Sequence, residues 1–175
     1  KRAGMLSVPG RGIEKRASVS HRLNTLFTST PEVCHVHRLD MDTSGLLVLA
    51  FDRESVKNLM MQFEERSVRK TYVALLEGVI EEESGDIDIP MRLDTDHRPR
   101  QIVDWEMGKR AITHWERIKV ITTPEERFTL VRFFPHTGRT HQLRVHASEG
   151  LRHPIVGDNL YGHQKEGERL MLHAE

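Results

Sequence analysis

The chain contains one cysteine, no long apolar run and no net charge. Cys34 is the only cysteine among 175 residues, which excludes an internal disulfide and favours a reducing compartment such as the cytoplasm. No apolar segment approaches the length of a membrane span or of a secretion signal, so the sequence predicts neither. The 26 basic and 26 acidic residues balance, which argues against a uniformly basic nucleic-acid-binding surface.

Local basic clusters could still bind phosphate, because binding depends on the local potential rather than on the sum of charges. Each cluster by itself is more typical of a solvated face. The candidate clusters are Lys1-Arg2, Lys15-Arg16, Arg66 with Arg69-Lys70, 97–100 and Lys109-Arg110.

Apolar periodicity predicts two helices, and flanking glycines predict a third, in a chain long enough for one domain with a core. Asp52 is expected to cap the second helix, whose apolar stripe of Val56, Leu59, Met60 and Phe63 should lie in the core. Runs of β-branched and aromatic residues predict strands separated by polar turns. The other predicted elements are helices at 13–27 and 140–148, strands at 70–80, 111–121 and 128–134, and turns at 81–85 and 123–126. This mixture predicts an α+β fold, with a mixed, mostly antiparallel sheet and flanking helices.

A guanidinium and a carboxylate lie two residues apart shortly before an apolar run. Arg38 and Asp40 precede 46–50, which is expected to be a strand buried on both faces. In an extended segment the two side chains would point to the same side. Because a charge near a core needs a partner, Asp40 should meet a cation, and 136–146 supplies several. On the pattern alone, Asp40 is equally well explained as a residue that caps a turn.

Five blocks in this order resemble the RluA family of pseudouridine synthases. They are HRLDMDTSGLLVLA (37–50), KTYVAL (70–75), HTGRTHQLRVH (136–146), HPIVGDNLYG (153–162) and RLMLHAE (169–175). The resemblance implies that 1–175 is a single catalytic domain of the pseudouridine synthase fold. It implies that this domain lacks terminal segments at both ends and has no S4 RNA-binding domain. It further implies an isomerase that converts uridines in RNA to pseudouridine.

The resemblance also implies roles for individual side chains. Asp40 matches the catalytic aspartate, which acts at the ribose C1' carbon, and Arg144 matches an active-site arginine expected to keep the Asp40 carboxylate ionised. Tyr72 would pack on the uracil and help to remove the C5 proton, although a strand tyrosine is more often a core residue. Arg38 would displace the target nucleotide. Arg139 and His141 are expected to contact the RNA backbone or hold the loop, and Leu170 and Leu172 to line the uracil pocket.

The implied substrates are those of the RluA branch, a large-subunit rRNA hairpin and a tRNA anticodon stem-loop. Unpaired uridines suit the reaction because they are the least costly to flip out of a stack. No cofactor or metal is expected, since the five-residue spacing of His141 and His146 does not suit a metal-binding helical pair, and His35 with His37 lacks a third ligand. We expect a cytoplasmic monomer that binds RNA and no membrane.

Two other functions remain open. A carboxylate-pair glycosidase would use Asp40 and Asp42 as its two acids, but no sugar-stacking aromatic residues surround them. A non-catalytic RNA-binding relative would keep the fold without the chemistry, although Asp40, Tyr72 and Arg144 are all present.

Overall fold

The structure is a computed structural model that describes residues 1–10, 17–27 and 34–175. By its internal contacts the chain divides into two compact units, one of 1–69 with Ala174 and one of 70–173 with Glu175. None of the described helices has both the length and the apolar composition needed to cross a lipid bilayer.

The first unit contains two capped helices. Helix α1 (Val19–Leu26) begins after Ser18, whose side-chain oxygen accepts a hydrogen bond from the His21 amide at 3.2 Å. Of the helix predicted at 13–27, residues 13–16 lie outside the described residues. Helix α2 (Arg53–Glu64) begins after Asp52, whose carboxylate accepts from the Ser55 amide at 2.8 Å, so the predicted cap is confirmed.

Three short strands accompany these helices. They are β1 (Cys34–His35), β2 (Ser44–Gly45) and β3 (Leu49–Ala50). Strand β1 pairs antiparallel with β3, so that Cys34 lies opposite Ala50. The segment between β1 and β2 therefore has no ladder of its own and carries the Arg38 and Asp40 motif.

Two predictions of burial in the first unit are wrong. The run 46–50 is not buried on both faces, since the Leu46 and Val48 side chains are 67% and 43% exposed. Among the described residues β3 pairs with β1 alone, so this two-stranded sheet is too small to be covered on both faces. The apolar stripe of α2 is not core either, because no α2 residue is buried and Met60 is 52% exposed. Helix α2 packs against β3, and a two-residue strand is too short to cover a helix of 12 residues.

The second unit is built on an antiparallel sheet. Strand β4 (Tyr72–Glu77) pairs with β8 (Arg127–Pro135), β8 with β7 (Lys109–Thr122), β7 with β5 (Ser84–Leu93) and β5 with β6 (Gln101–Val103). All four pairs are antiparallel, which confirms the predicted α+β class. The predicted strands at 70–80, 111–121 and 128–134 correspond to β4, β7 and β8. In spatial order the strands are β9 (Leu172–Ala174), β4, β8, β7, β5 and β6.

Strand β5 was not predicted, and part of it was assigned to a turn at 81–85. Its residues Asp86, Asp88 and Pro90 are depleted in strands, so local propensity disfavours this element. Pairing with β7 compensates, because the Arg110 Nε–H is shared between the two Asp88 carboxylate oxygens, each at 3.0 Å, and Asp86 contacts His114 Nδ1 at 2.9 Å. The strand therefore depends on partners that lie more than twenty residues away.

The segment predicted as a helix over 140–148 forms a short α-helix followed by a π-helical turn. Helix α3 (Gln142–Val145) begins after His141, whose φ of 54° is left-handed, and the π-helical turn spans His146–Gly150. All residues from 141 to 147 are buried. Leu143 and Ala147 join the apolar core of the unit, and the polar side chains of the segment are buried beside them. Other members of this core are Leu76, Trp115, Val131, Phe133, Ile155, Leu170 and Leu172.

Candidate active site

Asp40 follows a backbone position that is fixed by a buried serine. The Ser7 hydroxyl donates to the Leu39 carbonyl oxygen at 2.7 Å and accepts from the Leu39 amide at 3.0 Å. The Thr43 amide then donates to the Asp40 carbonyl oxygen at 3.2 Å, which closes a turn at Asp40. Asp40 itself is half-buried, while Arg38 is exposed. Leu39 points inward between them, as expected for an extended segment, and Ser7 is a support that the sequence did not single out.

A lysine side chain lies at the same turn. Lys1 Nζ donates to the carbonyl oxygens of Met41 at 2.8 Å and Met5 at 2.7 Å. Burial lowers the pKa of Lys1, while the nearby carboxylates of Asp42 and Asp40 raise it. The first unit thus places an ammonium group close enough to both carboxylates to interact with them electrostatically.

Arg144 in the second unit is buried and bound to a carboxylate that the sequence reasoning missed. Its Nε and Nη2 atoms donate to the two carboxylate oxygens of Asp158 at 2.8 and 2.6 Å. Nη2 also donates to Asn159 Oδ1 at 3.0 Å. Asp158 is fully buried, and its Oδ1 accepts from the amides of Leu160 and Tyr161. The bidentate pair fixes the plane of the Arg144 guanidinium.

The Tyr161 ring lies against this guanidinium. The Cζ atoms of Arg144 and Arg100 lie 5.2 and 5.4 Å from the centre of the ring. The Tyr161 hydroxyl accepts from the Gln101 amide at 2.8 Å and lies 2.8 Å from His141 Nδ1. Burial raises the pKa of Tyr161. The sequence pattern that could have indicated Asp158 and Tyr161 is HPIVGDNLYG, where a carboxylate and a tyrosine three residues apart follow an apolar stretch.

The loop before α3 is held together by the Gln142 side chain. Its Oε1 accepts from Thr137 Oγ1 at 2.7 Å and from the Arg139 amide at 3.0 Å. Its Nε2 donates to the Ile112 carbonyl oxygen at 3.0 Å. Arg139 is exposed, whereas His141 is buried, so only Arg139 has the exposure that a backbone contact to RNA needs.

The other predicted site residues of this unit belong to its apolar core. Leu170 and Leu172 are 2% and 3% exposed and pack in the same cluster as Phe133. Tyr72 is half-buried, packs against that cluster and lies opposite Phe133 in the register of β4 and β8. The three side chains therefore share one apolar region of the second unit.

Among residues 1–10, 17–27 and 34–175, no group of three or more histidine, cysteine, aspartate or glutamate side chains could hold a metal ion. The expected absence of a metal and of a cofactor stays a prediction.

The comparisons with known proteins agree with the predicted family. A family model described as RNA pseudouridylate synthase matches residues 1–149. The dual-specificity RNA pseudouridine synthase RluA of Yersinia pestis is 42% identical over 178 residues, covering 100% of this chain and 83% of that protein. The protein of the same name from Escherichia coli (strain K12) is 41% identical over 178 residues, covering 100% and 78%. The solved structure of human RNA Pseudouridylate Synthase Domain Containing 1 has a TM-score of 0.79 and 30% identity, covering 98% of this chain and 77% of that chain.

The similarity to the bacterial relatives includes all five sequence blocks. The family match spans both the Asp40 motif and the Arg144 motif. The predicted fold and the predicted class of enzyme, an RNA pseudouridine synthase, are confirmed. The chain belongs to the RNA pseudouridylate synthase family.

Proposed function

We propose that the chain converts uridines in RNA to pseudouridine with Asp40 as its catalytic residue. The bond between C1' and N1 breaks, the uracil turns, a bond forms between C1' and C5, and the C5 proton is lost while N1 gains one. All other atoms stay in the nucleotide, so no redox partner is consumed. The observation that carries the proposal is the turn at Asp40, where both backbone groups of Leu39 are bonded to Ser7. Such a turn holds the carboxylate in place before the substrate arrives.

Arg144 is the proposed positive charge of the site. An opposite charge beside Asp40 favours the ionised carboxylate, which is the form that acts at C1'. The bidentate bonds to Asp158 support this role, because they restrict the guanidinium to one plane.

Other residues bind and move the nucleotide. Tyr72 packs on the uracil and accepts the C5 proton, and Leu170 and Leu172 line the uracil pocket. Exposed Arg38 takes the place of the flipped nucleotide, and exposed Arg139 contacts the RNA backbone. Buried His141 holds the loop through its contact with Tyr161.

The proposed substrates are a large-subunit rRNA hairpin and a tRNA anticodon stem-loop. The words "dual-specificity" in the names of the bacterial relatives support two substrates. We place the activity in the cytoplasm and assign it to a monomer whose residues 1–175 act as one catalytic domain.

Release of tritium from C5-labelled uridine in a mixture of unmodified rRNA and tRNA tests the proposal. The wild-type chain should release tritium, Asp40→Asn should abolish release while keeping RNA affinity, and Asp42→Asn is the matched control that should retain it. Release that survives in Asp40→Asn would contradict the assignment. Equal loss in both variants would favour the carboxylate-pair glycosidase, and RNA binding without release would favour a non-catalytic relative.

A further inference from the structure

The turn between β6 and β7 carries two large apolar side chains that are exposed to solvent. Trp105 and Met107 are 73% and 77% exposed. Asp104 Oδ1 accepts from the amides of Glu106 and Met107, both at 2.9 Å, and Oδ2 accepts from Arg92 Nε at 2.5 Å. These bonds, of which the one from the Met107 amide is the largest cause, lower the pKa of Asp104 to about 2. The backbone of the turn therefore imposes the exposure of Trp105 and Met107.

Cationic side chains flank this turn. Arg98, Arg100 and Lys109 are exposed and have no carboxylate partner within the part of the chain that the structure describes. The exposed carboxylates on the same loops are those of Asp96 and Glu106. The edge of the sheet thus combines apolar faces with cations that are available to phosphates, which is the composition of a surface for unpaired nucleic acid.

Strand β6 connects the turn to the Arg144 site. The Gln101 amide donates to the Tyr161 hydroxyl, and the Tyr161 ring lies against the Arg144 guanidinium. Trp105 follows Gln101 by four residues, which is at most about 13 Å at roughly 3.3 Å per residue, since the strand ends at Val103. At roughly 3.4 Å per stacked nucleotide, this upper limit corresponds to about four nucleotides. An RNA strand whose target nucleotide lies beside Arg144 can therefore reach Trp105.

We infer that Trp105 and Met107 form a stacking platform for unpaired bases beside the target uridine, and that Arg98, Arg100 and Lys109 contact the phosphates of the same strand. The inference rests on the proposed function, because it requires a bound RNA. An indole face stacks on any base, so the platform adds affinity for single-stranded flanks without selecting a sequence.

Tryptophan fluorescence tests the platform directly, because the chain has two tryptophans in opposite environments. Trp115 is 4% exposed and lies in the core, so acrylamide should quench mainly Trp105. A synthetic RNA stem-loop with an unpaired uridine-containing loop should protect Trp105 from quenching, and a blunt RNA duplex should not. In Trp105→Phe the remaining emission should be insensitive to acrylamide and to RNA.

Affinity completes the test. Trp105→Ala should weaken binding of the stem-loop about tenfold while Trp105→Phe retains most of it, since phenylalanine keeps a stacking face. Ile118→Ala, which truncates an exposed apolar side chain on β7, is the matched control and should leave affinity unchanged. Tritium release by Ile118→Ala should also match the wild type.

Three outcomes would overturn the platform. If the wild-type enzyme is active and Trp105→Ala has an unchanged dissociation constant for RNA, the inferred platform is refuted and the proposed function stands. If the wild-type chain neither binds RNA nor releases tritium, both the inferred platform and the proposed function are refuted. Protection of Trp105 that rises with protein concentration in the absence of RNA would assign the turn to contact between copies of this chain.

Discussion

The clearest prediction from the structure concerns the stability of the protein in mild acid. His146 is fully buried in the π-helical turn, and neither ring nitrogen has a hydrogen-bond partner among the described residues. Burial lowers its pKa from 6.5 to about 4, against a smaller opposite effect of the Asp88 carboxylate. The folded state therefore keeps His146 neutral at a pH where the unfolded chain is protonated.

The sign and size of the effect follow from this difference. Between pH 6.5 and 4 the unfolded state binds more protons, so the contribution of His146 is fully present above pH 6.5 and is lost as the pH falls toward 4. One pKa unit corresponds to 1.36 kcal/mol, so a pKa difference of about 2.5 corresponds to roughly 3 kcal/mol of unfolding free energy. About 2 kcal/mol of this should be lost between pH 7 and pH 5.

The assay compares the wild-type chain with His146→Leu. Urea unfolding of both proteins at pH 7 and pH 5 gives four free energies of unfolding, and the difference between the two proteins removes the effect of other titrating groups. The wild type should lose about 2 kcal/mol more than the variant. At pH 7 the variant should have nearly the same free energy of unfolding as the wild type, because an apolar side chain of similar size replaces a buried polar ring without partners. Equal losses in the two proteins would refute the assigned pKa.

Two further predictions concern the supports of the proposed catalytic residues. Asp158→Asn should lower the free energy of unfolding by about 3 kcal/mol in urea, because it leaves the buried Arg144 guanidinium without its counter-charge, whereas Asp86→Asn on the surface should cost under about 0.5 kcal/mol. Equal effects would show that the buried pair is not needed for stability. Ser7→Ala should slow tritium release at saturating RNA about tenfold with unchanged RNA affinity, because it frees the backbone before Asp40. An unchanged rate would mean that the turn at Asp40 holds without the serine.

The parts of the fold that the sequence predicted depend on local interactions. Asp52 caps α2 through an amide three residues away, and β7 and β8 are rich in β-branched and aromatic residues. The sequence motifs also predicted the family, because their order along the chain needs no three-dimensional information. These features could be predicted without knowing which elements pack together.

The failures come from partners that are distant in sequence. Strand β5 contains residues that disfavour strands and is held by pairing with β7. The partner of Arg144 is Asp158, fourteen residues further along, and no periodicity indicates that contact. The apolar stripe of α2 satisfies the helical pattern, yet the pattern does not state whether anything covers the stripe.

Analysis of the nucleosides and free bases released from one RNA tests the central claim most directly. An unmodified tRNA anticodon stem-loop is incubated with the wild-type chain or with Asp40→Asn, and pseudouridine and free uracil are then measured by chromatography. Pseudouridine without free uracil in the wild type, and neither product with Asp40→Asn, is the expected result. Free uracil without pseudouridine, or pseudouridine formed equally by Asp40→Asn, would contradict an isomerisation that depends on Asp40.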